Sequence, residues 1–236
     1  MDQGIRKIRR TMYTNTLSPH NLAWSLRRTL QLSPMQRLLR EIRRQSVPLS
    51  QLDALEMFGG DGSRHTMDYH RQVRSLDVWE VDGGLSGPLR RNLPGATVTT
   101  TDSFHELQVT KNTYDLIVVD TPASLFGQHK QYCEHFDVFT PSLFRVARPF
   151  AVMIVNVIPD LLHSKNARRT PPWPEQLSRR SAFYKTNRPE LIPMHEMVAV
   201  YRQIAEAAGF ELQWHFSLCR TMRSQVHYLA MKVGRH

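Results

Sequence analysis

The chain has 236 residues, 41% of them hydrophobic, which is enough for one sizeable core and an appendage. No apolar run approaches the roughly eighteen residues that a membrane-spanning helix needs, so we expect no contact with a membrane. The formal net charge is +10, and the two cysteines, Cys133 and Cys219, lack metal-ligand spacing, which predicts reduced thiols, no metal and a cytoplasmic protein.

The basic character lies at the N-terminus. The first 44 residues contain ten arginines and lysines but two acidic residues, which leaves a charge of +8 there. Ser18-Pro19 and Ser33-Pro34 each match an N-cap serine followed by proline at the first helical position. We therefore predict a basic helical extension over residues 1–50. Its second helix carries an apolar stripe made of Met35, Leu38, Leu39 and Ile42.

Several roles stay open for this extension. Its arginines suit a lid over an acidic substrate, a homodimer contact, a clamp on nucleic acid, or an organelle-targeting segment. They also suit a solvated arginine face on helices that pack against the body of the protein. Because no aromatic residues alternate with the arginines to stack on bases, we expect a lid or a dimer contact rather than nucleic-acid binding.

Residues 52–62 read as a strand followed by a glycine-rich turn. The apolar run, broken only by Glu56, is typical of a strand buried on both faces of a parallel sheet. Gly59, Gly60 and Gly62 follow, and then residues 63–73, which contain no helix breaker and are predicted to be a helix. Such glycines permit positive φ and let a ligand approach backbone N–H groups, so the pattern predicts a nucleotide-binding turn.

Three further strands are predicted over residues 76–81, 96–101 and 114–119. The polar residues at their carboxyl ends are Glu80 and Asp82, then Asp102 and Ser103, and then Asp120. Open α/β sheets bind ligands at this edge, and an acidic residue about twenty positions after a glycine turn accepts hydrogen bonds from ribose. The strand ends therefore predict a nucleotide site.

The second half of the chain is predicted to complete the α/β alternation. A polar loop over residues 121–133 leads to a helix over 134–147 that Pro141 kinks or restarts, and then to a strand over 151–158. The proline-rich and basic stretch 160–193 is predicted to be irregular. A helix over residues 194–208 follows. The last elements are two strands, over residues 210–218 and 226–233, that form a hairpin.

The residues LEMFGGDG at 55–62, with Glu80, Asp102 and YDLIVVD at 114–120, resemble class I S-adenosylmethionine (SAM)-dependent methyltransferases. The resemblance spans residues 52 to the C-terminus and implies a catalytic domain over 51–236. It implies a Rossmann-like, doubly wound, mostly parallel seven-stranded sheet with a C-terminal antiparallel hairpin. The implied reaction is methyl transfer from SAM to an O or N nucleophile of a small polar or acidic substrate, with S-adenosylhomocysteine as product.

Residue roles follow from the same resemblance. It implies that Glu80 holds the ribose, that Asp102 with Ser103 faces the adenine amine, and that Asp120 lies beside the transferred methyl group. It implies that Glu56 and the turn of Gly60, Asp61 and Gly62 hold the methionine part. Phe58, Gly59 and Asp82 are further candidate cofactor-binding residues. Phe58 is a departure, because the family usually has glycine at that position.

The acceptor side is implied to lie after the fourth strand. Asp120 is expected to orient the substrate, and His129, Lys130 and His135 are candidate bases in the loop that follows. Residues 160–193 are expected to shape the substrate site, since this segment lies beside the methyl end of the cofactor in this fold.

Three alternatives remain open at this point. The GGDG turn and the Glu-Val-Asp strand end are also similar to spermidine synthases, which transfer an aminopropyl group, although Thr121-Pro122 after Asp120 departs from that family. An RNA methyltransferase would use the N-terminal arginines. A non-catalytic binding protein would keep the same fold.

Overall fold

The computed structural model describes residues 32–120, 124–126, 131–133, 141–163, 173–221 and 225–235. The predicted helix at Ser18-Pro19 and the candidate bases His129, Lys130 and His135 lie outside these residues. Within them, no helix combines the length and the apolar character that a membrane crossing requires.

Seven of the described strands form one sheet in the order β3-β2-β1-β4-β7-β9-β8. They are β1 (Asp53–Glu56), β2 (Ser75–Glu80), β3 (Thr97–Thr100), β4 (Tyr114–Val119), β7 (Ala147–Val157), β8 (Phe210–Thr221) and β9 (Val226–Arg235). The first five are parallel, whereas β9 pairs antiparallel with both β7 and β8. The predicted Rossmann-like sheet with a closing hairpin is confirmed.

The strand order reverses between β1 and β4, and we call this place the switch point. In open α/β sheets, ligands bind in the crevice at the carboxyl ends of the strands beside such a reversal. The continuous apolar runs predicted for the central strands are explained by burial on both faces, since Ala54, Leu55, Ile117 and Val118 are all fully buried.

Helices cover both faces of the sheet. They are α1 (Pro34–Arg44), α2 (Ser86–Asn92), α3 (Ser103–Val109), α4 (Pro141–Arg145), α5 (Trp173–Tyr184) and α6 (Met194–Ala207). One core cluster joins α3, α4 and α6 to one face, and a second joins α1 and α2 to the other. The glycine turn and the polar strand ends therefore lie at the edge between two helical layers.

Helix α1 is part of the same compact unit as the sheet. Ser33 caps it through a capping box with Gln36, as the Ser-Pro pair predicted. Its apolar stripe is buried in the second core cluster, and the compact unit begins at Ser33. The sequence had placed this helix in an extension ending at residue 50, but burial of its stripe attaches it to the sheet.

The prediction of a helix over residues 63–73 is wrong. The structure has only a short 3-10 helix there, His65–Asp68. The side chains of His65, Thr66 and Tyr69 all bind one buried oxygen of Glu56. A buried carboxylate needs hydrogen-bond partners, and this segment supplies three of them to one oxygen. It does so from a short 3-10 helix rather than from the predicted α-helix.

Two other segments differ from expectation. Part of the loop predicted over residues 121–133 forms an antiparallel pair of short strands, β5 (Ser124–Phe126) and β6 (Gln131–Cys133). The stretch 160–193, predicted to be irregular, contains the twelve-residue helix α5. Helix α4 begins at Pro141, in agreement with a helix restarted by that proline.

Arg180 connects α5 to neighbouring parts of the chain through buried hydrogen bonds. It is fully buried, and its guanidinium donates to the carbonyl oxygens of Pro189 at 2.7 Å and Ile158 at 2.8 Å. Its cationic carbon lies 5.5 Å from the centre of the Tyr184 ring. One side chain therefore links the helix, the chain that follows it and the end of β7.

We expect Arg180→Met to lower the free energy of unfolding by about 3 kcal/mol, because it leaves two carbonyl groups without their donor. Urea denaturation followed by circular dichroism measures the loss. Arg202→Met, which alters an exposed arginine on α6, is the matched control and should change stability by less than about 0.5 kcal/mol. Equal effects of the two substitutions would show that the buried hydrogen bonds of Arg180 do not stabilise the fold.

Candidate active site

The switch point brings two buried carboxylates together. Glu56 ends β1, where it pairs in register with Val118, and Asp120 follows the end of the neighbouring strand β4. Glu56 is fully buried and Asp120 is 8% exposed. Two buried negative charges at adjacent strand ends repel each other, so their ionised forms require a cation between them.

His65 supplies that cation. Its Nε2 lies 3.0 Å from Glu56 Oε2, and its Nδ1 lies 2.6 Å from Asp120 Oδ2. Burial alone would lower the pKa of the ring, but Glu56 and Asp120 outweigh burial and raise the pKa of His65 to about 10. At neutral pH the ring is therefore an imidazolium with a carboxylate at each nitrogen, and it has no free nitrogen with which to accept a proton.

Asp120 has further donors around it. The Asn156 amide and the Arg220 guanidinium both donate to its Oδ1, and the Tyr228 hydroxyl lies 3.5 Å from its Oδ2. Burial raises the pKa of Asp120, but His65, Arg220 and Asn156 together bring it below the usual value. Asp120 is therefore an ionised hydrogen-bond acceptor at the centre of a network, and a weak base.

We call Glu56, His65, Asp120, Asn156, Arg220 and Tyr228 the switch-point cluster. Two acceptor atoms in it, Glu56 Oε1 and Asn156 Oδ1, are buried without a hydrogen-bond partner among the described residues. In contrast, Oε2 of Glu56 receives the Tyr69 hydroxyl at 2.6 Å and the Thr66 hydroxyl at 3.3 Å. An unsatisfied buried polar atom costs about 1–3 kcal/mol, so these two oxygens are suited to a donor that a ligand brings.

The glycine turn needs its glycines for conformation and for packing. Gly60 and Gly62 have φ values of 55° and 72°, which side chains disfavour. A Cβ at Gly59 would overlap Val78, whereas a Cβ at Gly60 would meet no atom within 4 Å. The backbone at Gly60 therefore faces open space, and a ligand has room to approach it.

The N–H groups of this turn already have acceptors within the protein. The Gly59 N–H donates to the Trp79 carbonyl oxygen, and the Gly62 N–H donates to the Gly59 carbonyl oxygen. The Gly60 N–H donates to Glu80 Oε2 at 2.7 Å. The sequence had suggested that the turn offers its N–H groups to a ligand. In the structure these groups instead fix the turn and orient the Glu80 carboxylate.

The predicted cofactor residues of β2 and β3 lie next to one another at the sheet edge. Glu80 is partly exposed and also accepts the Asp82 N–H at 2.9 Å, and Thr101 N–H bonds to the Glu80 carbonyl oxygen. Asp82 and Asp102 are exposed and cap the backbone N–H groups of Gly84 and Phe104. In each of these two aspartates, only one carboxylate oxygen takes part in the cap, so the other can accept a hydrogen bond from a ligand.

Three other predicted residues have structural contacts. The Ser103 hydroxyl is buried and donates to the Met57 carbonyl oxygen, which ties the start of α3 to the end of β1. Phe58 packs against Phe104 with ring centres 6.0 Å apart. Asp61 is exposed and accepts from the N–H and hydroxyl of Ser63. All three therefore contribute to the shape of the turn.

Sequence reasoning found Glu56 and Asp120 but missed the groups between and around them. His65 was assigned to a helix, and Arg220 to a hairpin loop. Asn156 could have been recognised from the sequence, because it is the one polar residue in the apolar strand AVMIVNVI. A polar side chain inside a buried strand requires a hydrogen-bond partner, and here that partner is Asp120.

No protein-family model and no curated protein sequence matches the chain. Solved structures do match it. The N-methyltransferase NodS from Bradyrhizobium japonicum WM9 is 14% identical with a TM-score of 0.52, over 86% of this chain and 98% of that one. The magnesium protoporphyrin IX methyltransferase ChlM from Synechocystis PCC 6803, with bound S-adenosylhomocysteine, is 11% identical with a TM-score of 0.53. The match covers 86% of this chain and 81% of that one.

A third match is the 1,6-didemethyltoxoflavin-N1-methyltransferase from Burkholderia thailandensis, solved with 1,6-didemethyltoxoflavin and S-adenosylhomocysteine. It is 13% identical with a TM-score of 0.50, over 92% of this chain and 90% of that one. At such low identity these structures establish the fold. The chain has the fold of class I SAM-dependent methyltransferases, as the sequence resemblance implied.

The charge of His65 gives a prediction about pH. Because its pKa rises from 6.5 to about 10 on folding, the protonated ring stabilises the fold fully below about pH 6.5, and this contribution is lost as the pH rises through 10. We expect His65→Gln to cost about 3 kcal/mol at pH 6, since it removes one partner of a buried ion pair, and less at pH 10.

Urea denaturation of both proteins at pH 6, 8 and 10 measures this difference. His163→Gln is the control, because His163 pairs with Asp160 while its side chain is 75% exposed. That substitution should change the free energy of unfolding by less than about 1 kcal/mol, because an exposed ion pair contributes little. A His65→Gln difference that stays constant up to pH 10 would contradict a charged ring.

Proposed function

We propose that the chain transfers a methyl group from SAM to an oxygen or nitrogen atom of a small polar or acidic molecule. The observation that carries the proposal is the position of the Glu80 carboxylate. It lies at the carboxyl edge of a class I methyltransferase sheet, bonded to the positive-φ residue Gly60. Two of the matching structures, ChlM and the toxoflavin enzyme, contain S-adenosylhomocysteine.

The environment of Glu80 fits a ribose. Its two oxygens each accept one backbone N–H, from Gly60 and Asp82. An ionised carboxylate has about four lone-pair sites, so two remain for the hydroxyl groups of a ribose. The two backbone bonds hold the carboxylate in place before the ligand arrives. Its negative charge disfavours a 2′-phosphate.

Two oxygens of the switch-point cluster fit the ammonium group in the methionine part of SAM. Glu56 Oε1 and Asn156 Oδ1 are acceptors without a donor among the residues that the structure describes, and an ammonium group supplies donors with a positive charge. At the other end of the site, the uncommitted oxygen of Asp102 is suited to the adenine amine. Open space at Gly60 leaves room for the ligand between them.

When bound, SAM supplies an electrophilic methyl group on a sulfonium. The contribution of the chain is then to hold the acceptor in line and to exclude water, and such alignment gives effective molarities of about 10⁵–10⁸ M. Asp120 orients groups through its network rather than removing a proton, because its pKa is lowered. His129, Lys130 and His135 remain predicted bases for acceptors that need one.

The cofactor assignment predicts a pattern of binding. We expect SAM and S-adenosylhomocysteine to bind more tightly than decarboxylated SAM, which lacks the methionine carboxylate, and NAD not to bind. NAD is excluded because the Gly60 N–H that would meet a pyrophosphate is already bonded to Glu80. Isothermal titration calorimetry with the four ligands measures this order. A preference for decarboxylated SAM would indicate an aminopropyltransferase instead.

Glu80→Ala tests the ribose contact directly. Charge-assisted hydrogen bonds are worth about 1.5–3 kcal/mol, so we expect S-adenosylhomocysteine to bind roughly 10–150 times more weakly. Glu211→Ala is the matched control, since Glu211 is an exposed glutamate at the opposite edge of the sheet. The same calorimetry with both variants gives the comparison. Unchanged affinity in a folded Glu80→Ala protein would remove Glu80 from the cofactor site.

A further inference from the structure

A cavity lies beside the switch-point cluster, between the start of α1 and the end of β8. It has a volume of about 350 Å³, and the residues that define its chemistry are Ser33, Arg64, His65, Asp68, Arg220 and Tyr228. His65, Arg220 and Tyr228 belong to the cluster. The cavity therefore reaches the network around Asp120. Glu56, Gly60, Glu80, Asp102 and Asn156, which are proposed to contact the cofactor, do not line it, so the cavity adjoins the cofactor site without sharing these residues.

The charged groups of this cavity are mostly cationic. Arg64, His65 and Arg220 line it, and Asp68 is the one acid among its described lining residues, which leaves a charge of +2. Glu56 and Asp120, which pair with His65 and Arg220, do not line the cavity. A ligand in the cavity thus meets guanidinium and imidazolium groups before it meets the buried carboxylates.

The single acid of the lining already has a partner. Asp68 accepts a hydrogen bond of 2.5 Å from the Ser33 hydroxyl, which holds it against the start of α1. Arg64 is exposed, and its guanidinium makes no hydrogen bond to another residue that the structure describes, although its charge helps to lower the pKa of the nearby Asp61. A guanidinium presents several N–H donors in a planar fork that matches the oxygens of carboxylate and phosphate groups. Arg64 is therefore the cation in this cavity that is most available to a ligand.

Arg220 is held in a fixed position at the inner end of the cavity. Its side chain is 19% exposed, one of its nitrogens donates to Asp120, and its central carbon lies 5.3 Å from the centre of the Tyr228 ring. An acceptor bonded to Arg220 would therefore be linked to Asp120 through one side chain. The start of α1, at Ser33 and Pro34, adds the partial positive charge of a helix N-terminus.

We infer that this cavity is the acceptor site and that it binds a small organic anion, a carboxylate or phosphate compound, between Arg64 and Arg220. The inference rests on the proposed function, since it names the acceptor of that methyl transfer. Arg64 is then a specificity-determining residue, and Arg220 a positioning residue that connects the anion to the switch-point cluster.

Binding of small probes to the full chain tests this inference. We would measure benzoate, salicylate and inorganic phosphate by ligand-observed NMR, with benzamide and salicylamide as neutral counterparts of the two acids. We expect the acids to bind at least about tenfold more tightly than their amides. Arg64→Gln should weaken the acids about tenfold or more, because it removes a charge-assisted hydrogen bond, and should leave the amides unchanged.

Arg37→Gln is the matched control. Arg37 is exposed on α1 and does not line the cavity, so this variant should bind the acids like the unaltered protein. Equal binding of acids and amides, equal effects of the two substitutions, or no binding of any anion would overturn the inference. Phosphate binding that both substitutions weaken alike would indicate general attraction to basic residues and would also overturn it.

Calorimetry with S-adenosylhomocysteine on the same samples separates this inference from the proposed function. Arg64→Gln should bind S-adenosylhomocysteine like the unaltered protein, because Arg64 is not among the proposed cofactor residues. Selective anion binding without any S-adenosylhomocysteine binding would support an anion site but would overturn its role as a methyl acceptor site. S-adenosylhomocysteine binding without anion selectivity would overturn the acceptor assignment and leave the proposed function in place.

Discussion

The ion-paired bridge from Glu56 through His65 to Asp120 is the interaction on which the site depends. It places one positive charge between two carboxylates that the parallel pairing of β1 and β4 brings to the same place in the interior, and Arg220 adds a second positive charge beside Asp120. These two cations offset the repulsion between the carboxylates. The bridge also connects the chain after the glycine turn to the end of β1, since His65, Thr66 and Tyr69 all bind Glu56.

Much of the sheet could be predicted from the sequence because local pattern and burial agree there. Strands β1 and β2 are largely apolar and end in glutamate, β4 is followed at once by Asp120, and the carboxyl ends of all three lie at one edge. The segment after the turn could not be predicted in this way, because its conformation depends on a carboxylate about ten residues earlier in the chain. Local helix preference contains no information about that contact.

Helix α5 was not predicted from the sequence for a different reason. Prolines at positions 171, 172 and 174 and the many basic residues suggested irregular chain. Proline is tolerated in the first turn of a helix, where its missing N–H has no partner to lose, and Pro174 is the second residue of α5. The buried contacts of Arg180 connect residues that are distant from one another along the chain, so they could not be predicted from spacing.

We propose that SAM binds between Glu80 and the switch-point cluster. A crystal structure of the chain with S-adenosylhomocysteine tests this claim most directly. We predict that Glu80 oxygens lie within about 3.2 Å of the ribose hydroxyls, that the methionine part reaches Glu56 or Asn156, and that His65 stays between its two carboxylates. Adenosine bound elsewhere on the molecule, or a Glu80 carboxylate beyond hydrogen-bond distance of the ribose, would contradict it.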